Sequence, residues 1–264
     1  MNPKVPRWRA FGRVLLFFIG MAVVLISVVP LAPRDPALMH HLSIGAMASL
    51  GAFLLTLCFV RWEGLRLGDV GARPDRGSPL RLALGILIGL SLVALHSAMV
   101  WGAGHVHWVP APGVSVPDAI LTLVAFLFLS AREELAFHGY PLRRLSTLSG
   151  LGVAQLVTAL VFALEHRMGG SSWGEAFFGA GVGCLLFGMA AVATRGLAVP
   201  IGLHAAWNFG DWIRGGKGFG GYWTPVVEKG FEEQALFRGM VGYVLVMGFA
   251  TLAFWQWLRR SRHQ

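Results

Sequence analysis

The chain has 264 residues, of which 55% are hydrophobic and 13% charged. A soluble domain of this size carries about 25% charged residues, so composition excludes an ordinary soluble enzyme and points to an all-α, polytopic membrane protein. The formal charge of +9 raises nucleic acid as a partner, but the basic residues fall in short clusters between apolar runs, with no basic patch or aromatic platform; membrane topology accounts for them and nucleic acid does not.

Lys4, Arg7, Arg9 and Arg13 precede the apolar run 14–29. That run is long for a secretory signal and lacks a clear small-x-small cleavage site, so it reads as an uncleaved first span. The runs 42–60 and 80–101 make the second and third. Asp118 opens a fourth, which continues into Glu133 and Glu134. Runs 151–164, 176–194, 197–209 and 239–258 complete about eight transmembrane helices, the fifth and seventh extending into their polar flanks to reach the ~20 residues a span needs. Arg and Lys cluster at the N-terminus, around Arg61 to Arg81, at Arg143 and Arg144, at Arg195, and at Arg259, Arg260 and Arg262, and the loops between these clusters are poorer in them. Eight spans with both termini cytoplasmic, in the cell (inner) membrane, fit this alternation. Residues 169–172 read as a turn and the Gly-rich 215–221 as an outer loop. No internal repeat is visible. The whole of 1–264 reads as a single membrane domain.

The two cysteines, Cys58 and Cys184, lie inside apolar runs; neither a disulfide framework nor a Cys-based zinc site follows, and both read as core packing. His40, His41, His96, His105 and His107 fall toward the outer side, where loop histidines are not expected to gather a metal. The ten tryptophans read mostly as interface anchors.

The chemistry concentrates in Arg132–Leu145. Adjacent carboxylates at membrane depth are costly and mark function by default. The fourth helix is expected to run past the pair to about Leu148, kinked at Pro141, with Ser149 and Gly150 as the bend. Glu133 lies about 16 residues before that bend and His166 about 16 after it, so an antiparallel pair sets them face to face roughly 24 Å from the bend. Entering from Arg195, His204 lies near 13 Å and Glu133, counted from Arg143, near 15 Å. Asn208 is one turn beyond His204 on the same face. The expectation is one shared cavity in the cytoplasmic half of the bilayer that gathers Glu133, His166, His204 and Asn208. Glu165, beside His166, belongs to another face, solvated or turned to a partner, and Phe162 to packing.

Such a set activates water. A carboxylate and an imidazole share its deprotonation, and a second imidazole and an amide donate to a developing oxyanion. The alternative is a divalent metal such as zinc held by Glu133, His166 and His204.

These residues resemble the CPBP family of intramembrane proteases, which includes CAAX prenyl endopeptidases and bacteriocin-processing or immunity proteins. Its Glu-Glu-x-x-x-Arg motif is matched by Glu133 to His138, with Gly139 following; its Phe-x-x-x-His motif by Phe162 to His166; its His-x-x-x-Asn motif by His204 to Asn208. The resemblance covers about 116–210, with 1–115 and 211–264 as flanking spans and loops. It implies peptide hydrolysis in the membrane, with a membrane-associated peptide or protein as substrate and the bilayer as surroundings. It further implies Glu133 as base paired with His166, His204 and Asn208 as the oxyanion site, and Glu134 as auxiliary. Both metal-dependent and metal-free mechanisms are attached to the family. One position departs: the motif's arginine is His138, four residues from Glu134 and able to bond it, with Arg132 alongside but on another face. That departure supports the rival reading, a non-catalytic immunity-like or scaffold protein of the same fold. A proton-coupled transporter also uses buried Glu and His, but no inverted repeat or paired broken helices support it.

Overall fold

Apolar runs with no water to bond must satisfy their backbone internally, which makes helices of them. The computed structural model describes residues 6–261, so Lys4 and Arg262 lie outside the described residues. Its helices are α1 (Arg7–Val28), α2 (Ala37–Trp62), α3 (Ser78–Gly102), α4 (Val116–Glu133), α5 (Tyr140–Ser149), α6 (Leu151–Met168), α7 (Val182–Ala193), α8 (Ala198–Ile213) and α9 (Glu232–Ser261). The protein is an all-α, multi-pass membrane protein.

Helices occupy all eight predicted runs, yet among the described residues only six have the length and apolarity of a span. The two that do not are α4 and α8. The first carries Asp118, Arg132 and Glu133, and the second has 16 residues. These are the helices that bear the Glu pair and the His-x-x-x-Asn motif, so polar chemistry and a short length displace apolarity where the site is built.

Two features differ from expectation. The fourth helix does not run straight to Leu148. It passes through a π-helical turn, Glu134–Gly139, and resumes as α5 with Pro141 in its first turn. Pro141 has no N–H, so a regular α-helical bond to the Phe137 carbonyl is impossible there, and the wide turn absorbs the break. A second π-helical turn, Glu175–Gly181, leads into α7. The other difference is a two-stranded antiparallel ribbon, β1 (Val106–Pro110) with β2 (Trp223–Val227), which joins the α3–α4 connection to the α8–α9 connection; Trp108 opposes Pro225 and Val106 opposes Val227.

Helix α8 is seated against α3 through small residues. A Cβ on Gly89 would fall 2.5 Å from the Leu203 carbonyl, and Cβ atoms on Gly85 and Gly202 would run into the backbone carbonyls of Val199 and Leu82. Backbone thus meets backbone, the usual way for membrane helices to gain packing when lipid is as apolar as Leu. At the end of the bundle near Arg143, buried Glu63 ties three helices together: Tyr140 donates to it at 3.0 Å, and Arg144 and Arg13 pair with it at 2.8 and 3.3 Å. Phe17 and Phe59 pack on Tyr140 beneath this cluster.

The α3–α8 contact yields a test. Gly202→Val is expected to destabilise the protein by about 1–3 kcal/mol through overpacking, read as a lowered melting temperature in detergent. Gly152→Ala, where a Cβ meets nothing within 4 Å, is expected to leave it unchanged or raised.

Candidate active site

Adjacent residues on a helix point about 100° apart, so Glu133 and Glu134 cannot share an environment. Glu133 lines a cavity of about 920 Å³, whereas Glu134 is fully buried behind it. The imidazole of His204 joins the two. Its Nδ1 lies 3.0 Å from Glu134 Oε1 and its Nε2 lies 3.4 Å from Glu133 Oε2. Nδ1–H donates to Glu134, and Nε2 is turned toward Glu133 at more than the usual hydrogen-bond length. Phe187 stacks on the ring at 4.1 Å and holds its plane.

Glu134 has a second partner. His138, one π-turn on, donates from Nδ1 to Glu134 Oε2 at 2.7 Å, and its Nε2 lies 3.2 Å from Cys184 Sγ. Both His138 and Cys184 are fully buried. Cys184 therefore does more than pack: its thiol is the polar partner of His138 Nε2. Space for this network comes from Gly188. A Cβ there would stand 2.9 Å from the His138 ring and would run into the Gln155 carboxamide oxygen.

The α4–α6 register follows the predicted one. Arg132 reaches Glu165 at 2.5 Å, a pair 33 positions apart, and Glu133 at 3.5 Å. Glu165 is thus the partner-facing group of its helix, and Arg132 turns to Glu165 and Glu133 rather than substituting at Glu134. His166 is close by and lines the same cavity as Glu133, but no ion pair joins the two. Its Nδ1–H donates to the Phe162 carbonyl at 3.0 Å, which leaves Nε2 as a free acceptor. Phe162 packs edge-on to Phe137 at 4.8 Å and against His166 at 4.4 Å.

Asn208 also lines the cavity, and a residue that sequence reasoning missed sets its orientation. Lys217 Nζ donates to Asn208 Oδ1 at 2.8 Å. An ammonium has donors only, so the amide oxygen must face Lys217 and the NH2 is left to point elsewhere. Lys217 also stands 3.6 Å from Asp211. It sits in the Gly-rich loop, and only the folded chain brings it near α8.

The structure therefore gathers Glu133, His166, His204 and Asn208 on one cavity and sets Glu134 and His138 behind it. For the metal alternative, Glu133, His166 and His204 are the right donor types. As placed, they do not fit a metal: among the described residues no three His, Cys, Asp or Glu side chains are grouped closely enough to hold an ion. Both nitrogens of His204 are already directed at carboxylates.

Residues 115–210 match the family described as Type II CAAX prenyl endopeptidase Rce1-like. This core is therefore similar to the CPBP/CAAX protease family over that stretch. The matched stretch contains all three motifs of the CPBP pattern, from Glu133 to Asn208. No curated protein matches the chain. Where the CPBP pattern has arginine, His138 bonds Glu134 directly, with fewer donors and no permanent charge.

Removing that partner has a measurable cost. His138→Ala leaves Glu134 buried with His204 alone, and breaking a buried pair from one side costs about 3–5 kcal/mol. A large fall in melting temperature in detergent is expected. Cys184→Ser, which keeps a donor toward Nε2, is expected to stay close to the parent protein.

Proposed function

We propose that this protein is an intramembrane endopeptidase that hydrolyses a peptide bond of a membrane-associated peptide or protein with a water activated by Glu133. The observation that carries the reading is the cavity on which Glu133, His166, His204 and Asn208 converge from α4, α6 and α8. Water beside Glu133 gives up a proton to the carboxylate or to the free Nε2 of His166, and the hydroxide attacks the scissile carbonyl carbon. Negative charge grows on the carbonyl oxygen, where His204 Nε2–H and the Asn208 NH2 donate. The C–N bond then breaks, and the proton taken from water passes to the leaving amine. Glu134 and His138 are positioning residues: Glu134 holds the Nδ1–H of a doubly protonated His204, so that Nε2–H faces the cavity, and His138 fixes Glu134.

The second reading, a non-catalytic immunity-like or scaffold protein of the same fold, draws on His138 in place of arginine. One variant separates the two. Glu133→Gln keeps the shape and is expected to lower peptide hydrolysis by about 10²–10⁴-fold while the protein stays folded and inserted; unchanged hydrolysis removes Glu133 as the base. Lys217→Met frees the Asn208 amide to turn and is expected to lower kcat by about 10-fold, less than the 10²–10³ of losing an oxyanion donor, with KM unaltered. Treatment with a strong chelator is expected to leave activity intact. Loss that zinc restores would transfer the roles of Glu133, His166 and His204 to metal ligation.

A further inference from the structure

The side from which substrate arrives is written in the cavity. Its floor is Glu133, His204 and Phe187, and its remaining walls lie toward one end of the bundle only. They include the β-ribbon residues Trp108 and Pro225, Ser171 after α6, and Leu236 near the start of α9. Trp108 and Pro225 are cross-strand partners, so one face of the ribbon roofs the cavity. In the opposite direction the path is shut. Glu134, His138, Phe137, Tyr140 and Leu142 below the floor are each no more than 1% exposed, and the Glu63 cluster closes the bundle beneath them.

Charge distinguishes these two ends. The connections and helix ends at the shut end carry thirteen Lys and Arg against three Asp and Glu among the described residues; those at the ribbon end carry six against eight. Cytoplasmic loops hold the excess of Lys and Arg in membrane proteins, so the shut end faces the cytoplasm. His204 lies about 9 Å along α8 from its cytoplasmic start and about 13 Å from its other end. The reacting groups thus sit in the inner half of the protein but communicate with the outside.

We infer that the cavity opens on the extracytoplasmic face, and that the substrate is a peptide segment presented there, at the outer membrane surface, and not a cytoplasmic chain end. The substrate part of this inference rests on the hydrolysis reading; the direction of access does not. The walls suit such a segment, since apolar Val106, Val227 and Met240 alternate with the charged Asp211 and Lys217 near the mouth.

Single cysteines test it in a Cys58→Ser background, Cys184 being fully buried. Ser171→Cys reports the cavity and Thr147→Cys, exposed after Arg144, reports the shut end. In sealed right-side-out vesicles a membrane-impermeant maleimide is expected to label Ser171→Cys at least about 10-fold more than Thr147→Cys, with the order reversed in inverted vesicles. Leu236→Cys, a second mouth position, replaces Ser171→Cys if that variant fails to fold. An internally quenched apolar peptide is expected to be cleaved when added outside right-side-out vesicles, and a bulky maleimide on Ser171→Cys to suppress that cleavage. Labelling of Ser171→Cys and Leu236→Cys from the cytoplasmic side overturns the inference, as does cleavage only of peptide added there. Absence of cleavage on both sides would count against the hydrolysis reading, while the labelling pattern still decides the direction of access.

Discussion

Two neighbouring carboxylates buried in a membrane protein require counter-groups, and the rest of the structure depends on the imidazole set between them. His204 reaches Glu134 with one nitrogen and Glu133 with the other. That single ring ties α8 to the end of α4 and divides the carboxylates by task, one buried and fully bonded, the other facing open space. Arg132 performs a parallel service on the far side by bridging Glu133 and Glu165. The cluster is thereby assembled from three helices, and none of its members is left alone at low dielectric, where an unpaired charge is most costly.

Holding such a ring in place demands a rigid neighbourhood. The glycine contact between α3 and α8 sets backbone on backbone, so α8 has little freedom to slide or roll. Phe187 fixes the ring plane, Gly188 leaves room for His138 and Gln155, and Tyr243 of α9 donates to the Gly179 carbonyl in the second π-turn at 2.8 Å. Packing of this kind turns a sequence motif into a geometry, because the motif residues alone specify neither their rotamers nor their distances.

Much of the site was legible in the sequence. Helical rise and the position of the Ser149–Gly150 bend were enough to bring Glu133 and His166 to one cavity, though not into direct contact, and the Arg132–Glu165 pair has the same 33-residue separation. Depth from the basic loops likewise brought His204 to the level of Glu133. Other features were not legible. The ribbon pairs segments more than 100 residues apart, each containing proline and lacking clear alternation, so no local signal announces it. Lys217 lies in a glycine-rich loop whose path only tertiary structure defines. Cys184 looked like packing because nothing in its own neighbourhood shows that His138 will face it. The expectation of a cytoplasmic-half cavity counted depth from the Arg-rich loops, and a depth count carries no information about which end of a cavity is open.

The π-turn at Glu134–Gly139 has a further consequence for how this stretch can vary. A π-turn holds one more residue than the α-turn it replaces, so it behaves as an insertion carried inside an unbroken helix. Deleting one residue from this turn would restore regular winding, and because one residue fewer then covers nearly the same rotation, α5 beyond it would keep its orientation. The Tyr140–Glu63 contact and the bond from Arg143 to the Ala191 carbonyl at 2.6 Å lie beyond the turn and would be kept, whereas the His138–Glu134 contact lies within it and is the one disturbed. Side chains in this segment can be exchanged within limits of volume and polarity, but a change in its residue count falls on the buried His138–Glu134 pair behind the cavity floor.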